Sequence, residues 1–550
     1  MSLDGQWTLE NWDGSVALPA EVPGCVHSAL LKRGLLQDPY YRFNDEVYRW
    51  IAFDNWTYTT SFSVPAGMRN RAQRRALLVF EGVDTVASVW LNGVAVGQTD
   101  NMFRRYDFSV GAVLTPGDNV LAVRLASPVL YAAQRSEAHP YRVPPDCPPD
   151  VQQGQCHVNY IRKEQSSFSW DWGPSFPTAG LWKGVRLEAF DALRLVHVST
   201  VPMYNRTSSG WSVQVELLVD AVEEVTRGQL TLSLPGLDTW QTFPLRFLPG
   251  RTRNTFTLHI NTSRPVRLWW PSGHGDRPSY QLSVRAVLEP NTTFTADAQV
   301  YFRSVELIQE PIPGSPGLSF YFRVNGKALF MKGSNWIPAH AFQDLVTPAS
   351  VRRLLESAVE ANMNTLRVWG GGVYQQDLFY SICDELGVMD LMFACALYPT
   401  EEDFLSTVRE EVLQQVRRLK SHPSVVVWSG NNENEAALAT DWFGIPAAQR
   451  PLYLKDYVRL YVDNIRAVVL EEDQSRPFLA SSPTNGLASE LQGWVAEDPY
   501  DPHYGDTHYY NYTHDCWDWT QFPRTRFASE YGFQSWPSFS TLQKVRRLGD

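Results

Sequence analysis

Two glutamates follow apolar runs that predict buried β-strands, and their carboxyl groups are well suited to chemistry. Glu433 follows SVVVWSG within the segment NNENE, next to Asn432, and Glu530 lies near the end of the run RFASEYG. A retaining glycosidase needs one carboxyl group that protonates the leaving oxygen and a second, ionised one that attacks the sugar carbon. The pair therefore predicts a double-displacement mechanism with Glu433 as acid/base and Glu530 as nucleophile.

Both glutamates also have a structural interpretation. Glu433 stands where NNENEAALA predicts the start of a helix, so its carboxylate could cap that helix, and Glu435 fits compensation of the helix dipole. Glu530 could be the buried partner of Arg367. A catalytic site would require the same pair, because a nearby cation keeps a carboxylate ionised, and the charge of Glu530 would favour a protonated Glu433.

An alternation of strands and helices from about residue 309 must position these groups. The predicted strands are ALFMKGSNW (328–336), NTLRVWGGG (364–372), VMDLMFACA (388–396), SVVVWSG, RPFLASSP, DTHYY and RFASEYG. Helices are predicted after Thr347-Pro348 and near 375–386, 403–420 and 454–470. This pattern predicts a (β/α)8 TIM barrel, truncated before its eighth strand.

Reactive groups of such a barrel lie at the carboxyl ends of its strands. Besides the two glutamates, the polar and aromatic residues at predicted strand ends are Asn335, Trp336, Arg367, Trp369, His508 and Tyr509. These residue types can bind sugar hydroxyls and stack on sugar rings. We therefore include Arg367, Trp369, His508 and Tyr509 in the predicted substrate site.

Two β-rich units precede the barrel, and we expect the divisions 1–191, 192–308 and 309–550. In the first, LLVFEGVDTVASVWLNGVAVG predicts strands joined by a primed hairpin turn at Asn92-Gly93. In the second, Val213, Val215, Leu217 and Val219 alternate along one strand, which favours a small β-sandwich of immunoglobulin-like size.

A long Pro- and aromatic-rich segment, residues 128–180, interrupts the first unit. Long irregular segments in compact domains are often functional. This one contains SFSWDWGPSFP, in which Trp170, Asp171 and Trp172 offer two indoles and a carboxylate to a hydroxyl-bearing ring. A structural aromatic turn is an equal alternative on chemistry alone, because Gly173-Pro174 follows.

Composition excludes several function classes. The 550 residues carry a net charge of −11 without a Lys/Arg cluster, which argues against a nucleic-acid partner. No apolar run reaches the roughly 18–20 residues of a membrane-spanning helix, so no membrane partner is expected. No CxxC or His/Cys spacing suggests a metal, and we predict no cofactor. The oligomeric state stays open and includes a monomer.

The compartment is indicated by two weak signals. Asparagines in glycosylation sequons are Asn55, Asn205, Asn261, Asn291 and Asn511. Cys147 and Cys156 bracket a short turn-rich loop and could form a disulfide in an oxidising compartment. No signal peptide opens the chain, so it is either cytosolic or incomplete at its N-terminus, and the sequons favour the second option.

GNNENE, RFASEYGFQSWPS, RVWGGGVY and SWDWGPSFP together resemble the β-mannosidases of glycoside hydrolase family two, most closely the animal lysosomal type. The resemblance implies a jelly-roll sugar-binding domain, an immunoglobulin-like sandwich and a (β/α)8 barrel. It implies Glu433 as proton donor and Glu530 as nucleophile. It also implies that Trp170, Asp171, Trp172 and Asn432 contact a terminal, non-reducing β-D-mannose.

The implied substrate is a small oligosaccharide from N-glycan breakdown, and the implied location is the lysosome. Two other functions stay open. The chain could be an inactive sugar-binding fragment, since the resemblance implies further sequence beyond residue 550. It could also be a β-galactosidase or β-glucuronidase of the same architecture, although these usually carry a different sequence around the acid/base.

Overall fold

The computed structural model describes residues 1–68, 75–225, 227–261, 264–289, 292–392, 397–533 and 535–545, without the side chains of 390–392. The predicted order of elements is confirmed: antiparallel sheets fill the first half of the chain, and parallel strands alternate with helices in the second. Asn291 and Cys395 lie outside the described residues.

The N-terminal unit is built from antiparallel sheets that share one apolar core. The largest has the order Ala17–Val22, Gly5–Asn11, Trp56–Ser63, Asp118–Leu125, Ala87–Leu91, Val94–Thr99. Two smaller ones are Val185–Ala189, Ala76–Phe80, Tyr106–Ser109 and Gly180–Leu181 with Gly24–Cys25. The hairpin turn has φ of 52° at Asn92 and 79° at Gly93, so it is of the predicted primed type.

The second unit is a sandwich of two antiparallel sheets. One contains Leu193–Asn205, Gly210–Ala221 and Gly250–His259; the other contains Thr239–Pro244, Gly228–Leu234, Tyr280–Leu288 and Thr292–Val300. Val213, Val215 and Leu217 are fully buried, as their alternation predicts, and pack in one core with Leu230 and Leu282. This unit is the predicted small sandwich.

Parallel strands form the last unit. Gly333–Trp336, Thr365–Val368, Met389–Met392, Val425–Ser429 and Phe478–Leu479 pair in chain order, and Asp506–Tyr510 pairs with Phe527–Gly532. The side-chain amide of Asn335 donates to the backbone carbonyl of Ser529 at 3.2 Å. This contact brings the first of these strands beside the last. The carboxyl ends of the strands consequently face one common region.

The run 328–336 is not the single strand that we predicted. Lys327–Leu329 closes an antiparallel sheet with Val305–Ile308 and Tyr321–Val324, and Gly333–Trp336 then begins the parallel set. The run divides because its two halves pair with different strands, Tyr321–Val324 before the break and Thr365–Val368 after it, and at Gly333 a Cβ atom would stand 2.0 Å from the carbonyl oxygen of Thr365. Only glycine allows this close backbone approach.

Helices pack around the parallel strands. They are Pro348–Glu360, Asp377–Leu386, Glu402–Leu419, Asn434–Ala439, Arg450–Tyr457, Ala467–Glu472 and Leu487–Leu491, with a π-helical stretch at Val458–Arg466. A further helix, Phe539–Val545, has no buried residue. The N-terminal unit adds Val26–Lys32, Asn44–Val47, Trp50–Phe53 and Pro128–Ala138. Thr347 caps the first barrel helix as predicted. Across the described part of the chain, no helix has both the length and the apolar character that a membrane span requires.

The N-terminal unit is fixed to the parallel unit by apolar and charged contacts. The ring of Phe103 meets that of Tyr374 edge to face, with centroids 5.2 Å apart, inside a shared core. The guanidinium of Arg162 forms two hydrogen bonds with the carboxylate of Glu411, at 2.6 and 2.7 Å. The segment 128–180 therefore lies against the barrel, while the exact domain divisions stay predictions.

Candidate active site

A cleft of about 760 Å³ opens at the carboxyl ends of the parallel strands. The predicted catalytic and substrate residues that line it are Trp170, Asp171, Trp172, Trp369, Glu433, His508, Tyr509 and Glu530. They come from both the N-terminal unit and the parallel unit. The two predicted residues that do not line it are Arg367 and Asn432, which lie behind the carboxylates.

Glu530 is buried and is held by partners on both carboxylate oxygens. Arg367 forms an ion pair with Oε1, as predicted, and the hydroxyl of Tyr510 donates to Oε2 at 2.9 Å. Burial by itself raises the pKa of Glu530, but the charges of Arg367 and His508 outweigh it and lower the pKa below 4.5. Glu530 is therefore ionised at neutral and mildly acidic pH.

Arg367 organises the floor beneath Glu530. Its guanidinium donates to Oδ1 of Asn335 at 3.0 Å, to Oδ1 of Asn432 and to Oγ of Ser482 at 3.3 Å. Arg367 and Asn432 thus bond each other below the cleft wall, where Arg367 also pairs with Glu530. A direct sugar contact stays a prediction for both.

Glu433 faces the cleft from the start of the helix Asn434–Ala439. Its φ of 64° is left-handed, which costs a non-glycine residue about 1–3 kcal/mol. Its side chain caps no helical N–H, so the capping interpretation is wrong. Instead, Oε1 lies 2.8 Å from Nδ1 of His508, and the side chain remains 23% exposed to the cleft.

His508 lies between the two glutamates. Its Nδ1 is 2.8 Å from Glu433 and 3.6 Å from Glu530. Its Nε2 is 3.2 Å from Oγ of Ser482 and 3.0 Å from Oγ of Ser529. The contacts of the two ring nitrogens fix the imidazole plane, so His508 sets the relative positions of the two carboxyl groups.

The distance between the carboxylates is short. One oxygen of Glu433, one of Glu530 and a ring nitrogen of His508 all lie within 4.8 Å of one another. Retaining glycosidases hold their carboxyl groups about 5–5.5 Å apart, and inverting ones about 6.5–9.5 Å. The three groups could also surround a cation, but Arg367 already supplies positive charge to Glu530. The expectation of no metal stays a prediction.

The Trp-Asp-Trp segment forms a tight turn at the cleft mouth. Trp170 and Gly173 exchange backbone hydrogen bonds of 3.1 and 3.2 Å. The rings of Trp170 and Trp172 both meet Trp369 edge to face, at 4.7 and 5.3 Å. Partial burial and the charges of Glu433 and Glu530 raise the pKa of Asp171, which places its carboxyl group near theirs.

Two family profiles match the chain. Residues 7–183 match the glycosyl hydrolase 2 galactose-binding domain-like family, and residues 320–549 match the TIM barrel domain of glycosyl hydrolases family 2. The β-mannosidase of Rattus norvegicus is 54% identical over 555 residues, which cover 100% of this chain and 62% of the relative. The chain belongs to glycoside hydrolase family 2.

Other family 2 relatives agree. The β-mannosidase of Bos taurus is 54% identical, over 99% of this chain and 62% of its own length. The solved β-D-mannosidase of Dictyoglomus thermophilum aligns with a TM-score of 0.84 and 32% identity, covering 99% of this chain and 64% of that one. The chain thus spans less than two thirds of these relatives. A β-glucuronidase of Bacteroides uniformis, at 15% identity and a TM-score of 0.64, shares the fold. The predicted family and fold class are confirmed.

Sequence reasoning missed Tyr510 and the polar residues beneath His508 in this family 2 site. The hydroxyl of Tyr509 donates to the carbonyl of Gln521 at 2.8 Å, whereas Tyr510 binds Glu530. Side chains two positions apart share a face of a strand. That period pairs His508 with Tyr510 and could have found it.

Asp506, Ser482 and Ser529 form the support under His508. The Oδ2 atom of Asp506 accepts from both serine hydroxyls at 2.6 Å. Small polar residues on short strands carry no distinctive sequence signal, so these three were not predictable. They show that the family 2 site rests on a closed hydrogen-bond network.

The secretory features predicted for this family 2 chain are partly visible. Cys147 and Cys156 form the predicted disulfide, with Cα atoms 4.1 Å apart. Cys25 and Cys383 are buried, and Cys516 is exposed. Of the described sequons, Asn205 and Asn261 are exposed, while Asn55 and Asn511 are half-buried. Glycosylation at these positions and at Asn291 stays a prediction.

Proposed function

We propose that this chain carries the catalytic centre of a retaining exo-β-mannosidase, with Glu433 as acid/base and Glu530 as nucleophile. The observation that supports it most is the pair itself: carboxylate oxygens within 4.8 Å in two different environments. Glu530 is buried beside Arg367, and Glu433 is open to the cleft. The short separation favours the retaining mechanism.

In the first step, the Glu530 carboxylate attacks the anomeric carbon of the sugar. The bond from that carbon to the leaving oxygen breaks, and the proton of Glu433 goes to this oxygen, which releases the aglycone as an alcohol. Arg367 and Tyr510 hold the attacking carboxylate in place. The product of this step is a covalent glycosyl ester on Glu530.

In the second step, Glu433 acts as a base. It takes a proton from a water molecule whose oxygen attacks the anomeric carbon, and the ester bond to Glu530 breaks. Glu433 is thereby protonated again and Glu530 is an anion again. Two inversions at the same carbon retain the β-configuration.

Mannose as the sugar and the terminal position of cleavage are supported by the names of the relatives and by the cleft mouth. Trp170, Asp171 and Trp172 close one side of the cleft with Trp369. Asp171 is suited to accept hydrogen bonds from sugar hydroxyls, and the indoles to stack on the ring. We propose small β-mannosides of N-glycan breakdown as substrates.

The proposed compartment is the lysosome. A disulfide between Cys147 and Cys156 suits an oxidising secretory route, and the sequons suit the same route. We also propose the division into residues 1–191, 192–308 and 309–550, since one apolar core lies mostly within the first range and another lies within the second. Expression with a secretory leader, followed by glycosidase treatment and mass measurement, tests which sequons are used.

The decisive experiment is a panel of nitrophenyl β-glycosides with this chain and a form extended to the relatives' length. We expect the β-mannoside to be hydrolysed fastest. Preference for the β-galactoside or β-glucuronide would contradict the assignment of mannose. Mannose binding without hydrolysis by both folded forms would support the sugar-binding fragment instead.

Azide assigns the two roles. In Glu433→Ala, azide should accelerate turnover of the activated nitrophenyl substrate and give a β-mannosyl azide, because it attacks the glycosyl ester in place of water. In Glu530→Ala, azide should replace the nucleophile and give an α-mannosyl azide. Near-normal turnover by both variants without azide would contradict the two-glutamate mechanism.

A further inference from the structure

The Trp170–Asp171–Trp172 turn is the tip of an irregular segment that ends at the strand Gly180–Leu181. The regular structure between residues 163 and 179 is one short 3-10 turn, Gln165–Phe168. A segment of this kind has little backbone pairing of its own to define its shape. Side chains outside the turn must therefore hold the tip in place over the cleft.

Lys163 closes the base of this segment from inside the protein. Its side chain is 0% exposed, and its Nζ lies 3.1 Å from Oγ of Ser167 and 3.3 Å from Oγ1 of Thr178. Ser167 precedes the turn and Thr178 follows it. One ammonium group thus joins both legs of the segment.

Asp84 anchors this ammonium group to the N-terminal sandwich. Its Oδ1 is 3.2 Å from Nζ of Lys163, and its Oδ2 accepts from Thr178 at 2.6 Å. The backbones of Asp84 and Gly180 exchange hydrogen bonds of 2.8 and 2.7 Å. The base of the segment is therefore attached to a rigid sheet-bearing unit by both side chain and backbone.

The same segment also contacts the barrel beside the cleft. The N–H of Ser166 donates to the carbonyl of Gly371 at 2.9 Å, and the rings of Trp170 and Trp172 meet Trp369. Both contacts fall on one short stretch after the strand Thr365–Val368. If the contacts of Lys163 at the base were lost, the turn at the tip would no longer be held in its position against this stretch.

A lysine is needed at this position because of its donors. Three N–H groups reach three acceptors on separate parts of the chain, and no neutral side chain of similar length offers three donors. A buried charge without such partners is strongly unfavourable. The three acceptors thus suit an ammonium group and offset the free-energy cost of burying its charge.

We propose that Lys163 is a positioning residue for the sugar site, which acts by closing the base of residues 163–180 so that Asp171 reaches the bound sugar. Its effect on catalysis rests on the proposed β-mannosidase function. Its effect on the order of the turn does not, so the two can fail separately.

The kinetic test compares Lys163→Met with Lys420→Met in this chain. Lys420 is the matched control, because it is also 0% exposed and paired, with Glu216 at 2.5 Å and Glu472 at 3.4 Å, but it lies outside the cleft lining. We expect Lys163→Met to raise KM for the nitrophenyl β-mannoside at least roughly tenfold, with a smaller change in kcat. Lys420→Met should lower thermal stability without raising KM.

A double variant separates positioning from general damage. If Lys163 acts through Asp171, adding Lys163→Met to Asp171→Asn should raise KM no further, whereas independent effects would multiply. Thr178→Val is the milder variant, should Lys163→Met fail to fold, and should raise KM in the same direction. An unchanged KM in folded Lys163→Met or Thr178→Val would overturn the proposal.

Hydrogen exchange gives a readout that needs no activity. The amides of Trp170 and Gly173 are hydrogen-bonded within the turn, so they should exchange faster in Lys163→Met than in the unsubstituted chain or Lys420→Met. Wild-type exchange at these amides would overturn the proposal even if the chain proved inactive. Faster exchange in an inactive chain would support positioning and contradict only the proposed function.

Discussion

Replacing Arg367 by methionine is the sharpest perturbation of the proposed mechanism. The Arg367 and Glu530 side chains are 9% and 7% exposed, so the variant leaves a carboxylate in a buried site without its cation. Removing one partner of a buried pair costs about 3–5 kcal/mol. If about 3 kcal/mol of this appears in the transition state, kcat/KM falls by roughly two orders of magnitude.

The pH profile carries the more specific expectation. In the unsubstituted chain Arg367 and His508 keep the pKa of Glu530 below 4.5 despite burial. Without Arg367, burial dominates and the pKa rises, so ionised nucleophile is lost at a higher pH than before. The acidic limb of kcat/KM against pH should move towards neutrality.

The contribution of Glu530 to stability should depend on pH in opposite directions in the unsubstituted chain and in Arg367→Met. A depressed pKa means that Glu530 contributes stability above its unfolded value of about 4.5, which is lost as pH falls through the folded pKa. In Arg367→Met the raised pKa makes this contribution full at acid pH and lost as pH rises. Melting temperatures from pH 4 to 8, measured by calorimetry, check this.

Arg476→Met is the matched control for a buried guanidinium outside the cleft lining, since Arg476 and Asp473 are 2% and 0% exposed. It should lower the melting temperature but leave the acidic limb in place. If the limb stayed unmoved in a folded Arg367→Met variant, the assignment of Glu530 as the cation-stabilised nucleophile would be refuted.

Three further outcomes follow from single contacts. Tyr510→Phe removes a 2.9 Å hydrogen bond to Glu530, worth about 1.5–3 kcal/mol, so kcat/KM should fall roughly ten- to hundredfold; steady-state kinetics decide, and an unchanged kcat/KM in a folded variant would contradict the role of this contact. Burial raises the pKa of Glu435 to about 7, so the free energy of unfolding of the unsubstituted chain should fall as the pH rises from about 4.5 to 7. Glu435→Gln should not show this fall. Equal pH slopes of the two chains in urea unfolding would contradict this expectation. Replacing Cys147 and Cys156 by alanine should lower unfolding stability by about 3 kcal/mol, and dithiothreitol should then have no further effect on melting.

Much of the site was predictable because a parallel barrel brings distant strand ends together. Glu433 and Glu530 are far apart in the chain, yet both follow apolar runs, and that position alone predicts convergence. The same argument found His508. It could not tell which strand-end residues face the cleft and which face the floor, because that depends on strand tilt. No sequence signal therefore indicated that Arg367 and Asn432 bond each other, and their contact with the sugar stays a prediction.

Other features depend on contacts that no local pattern encodes. Lys163 stands in a polar stretch, RKEQSS, that would ordinarily predict an exposed loop, but it is fully buried by residues of three separate segments. Likewise, the predicted strand 328–336 divides because its two halves pair with different neighbouring strands. Both are consequences of tertiary packing, which overrides propensity.

In the proposed mechanism, the environments of the two glutamates determine the direction of proton transfer. Glu433 pairs with no lysine or arginine in the described residues, contacts His508 and is 23% exposed to the cleft, which suits the role of proton donor to the leaving oxygen. Glu530 cannot do so while Arg367 and Tyr510 both bind its oxygens. A reversal of roles would require protonation of a carboxylate that is ion-paired in a buried site, against the field of the guanidinium. In the proposed mechanism, Arg367 thus decides which glutamate attacks and which one donates.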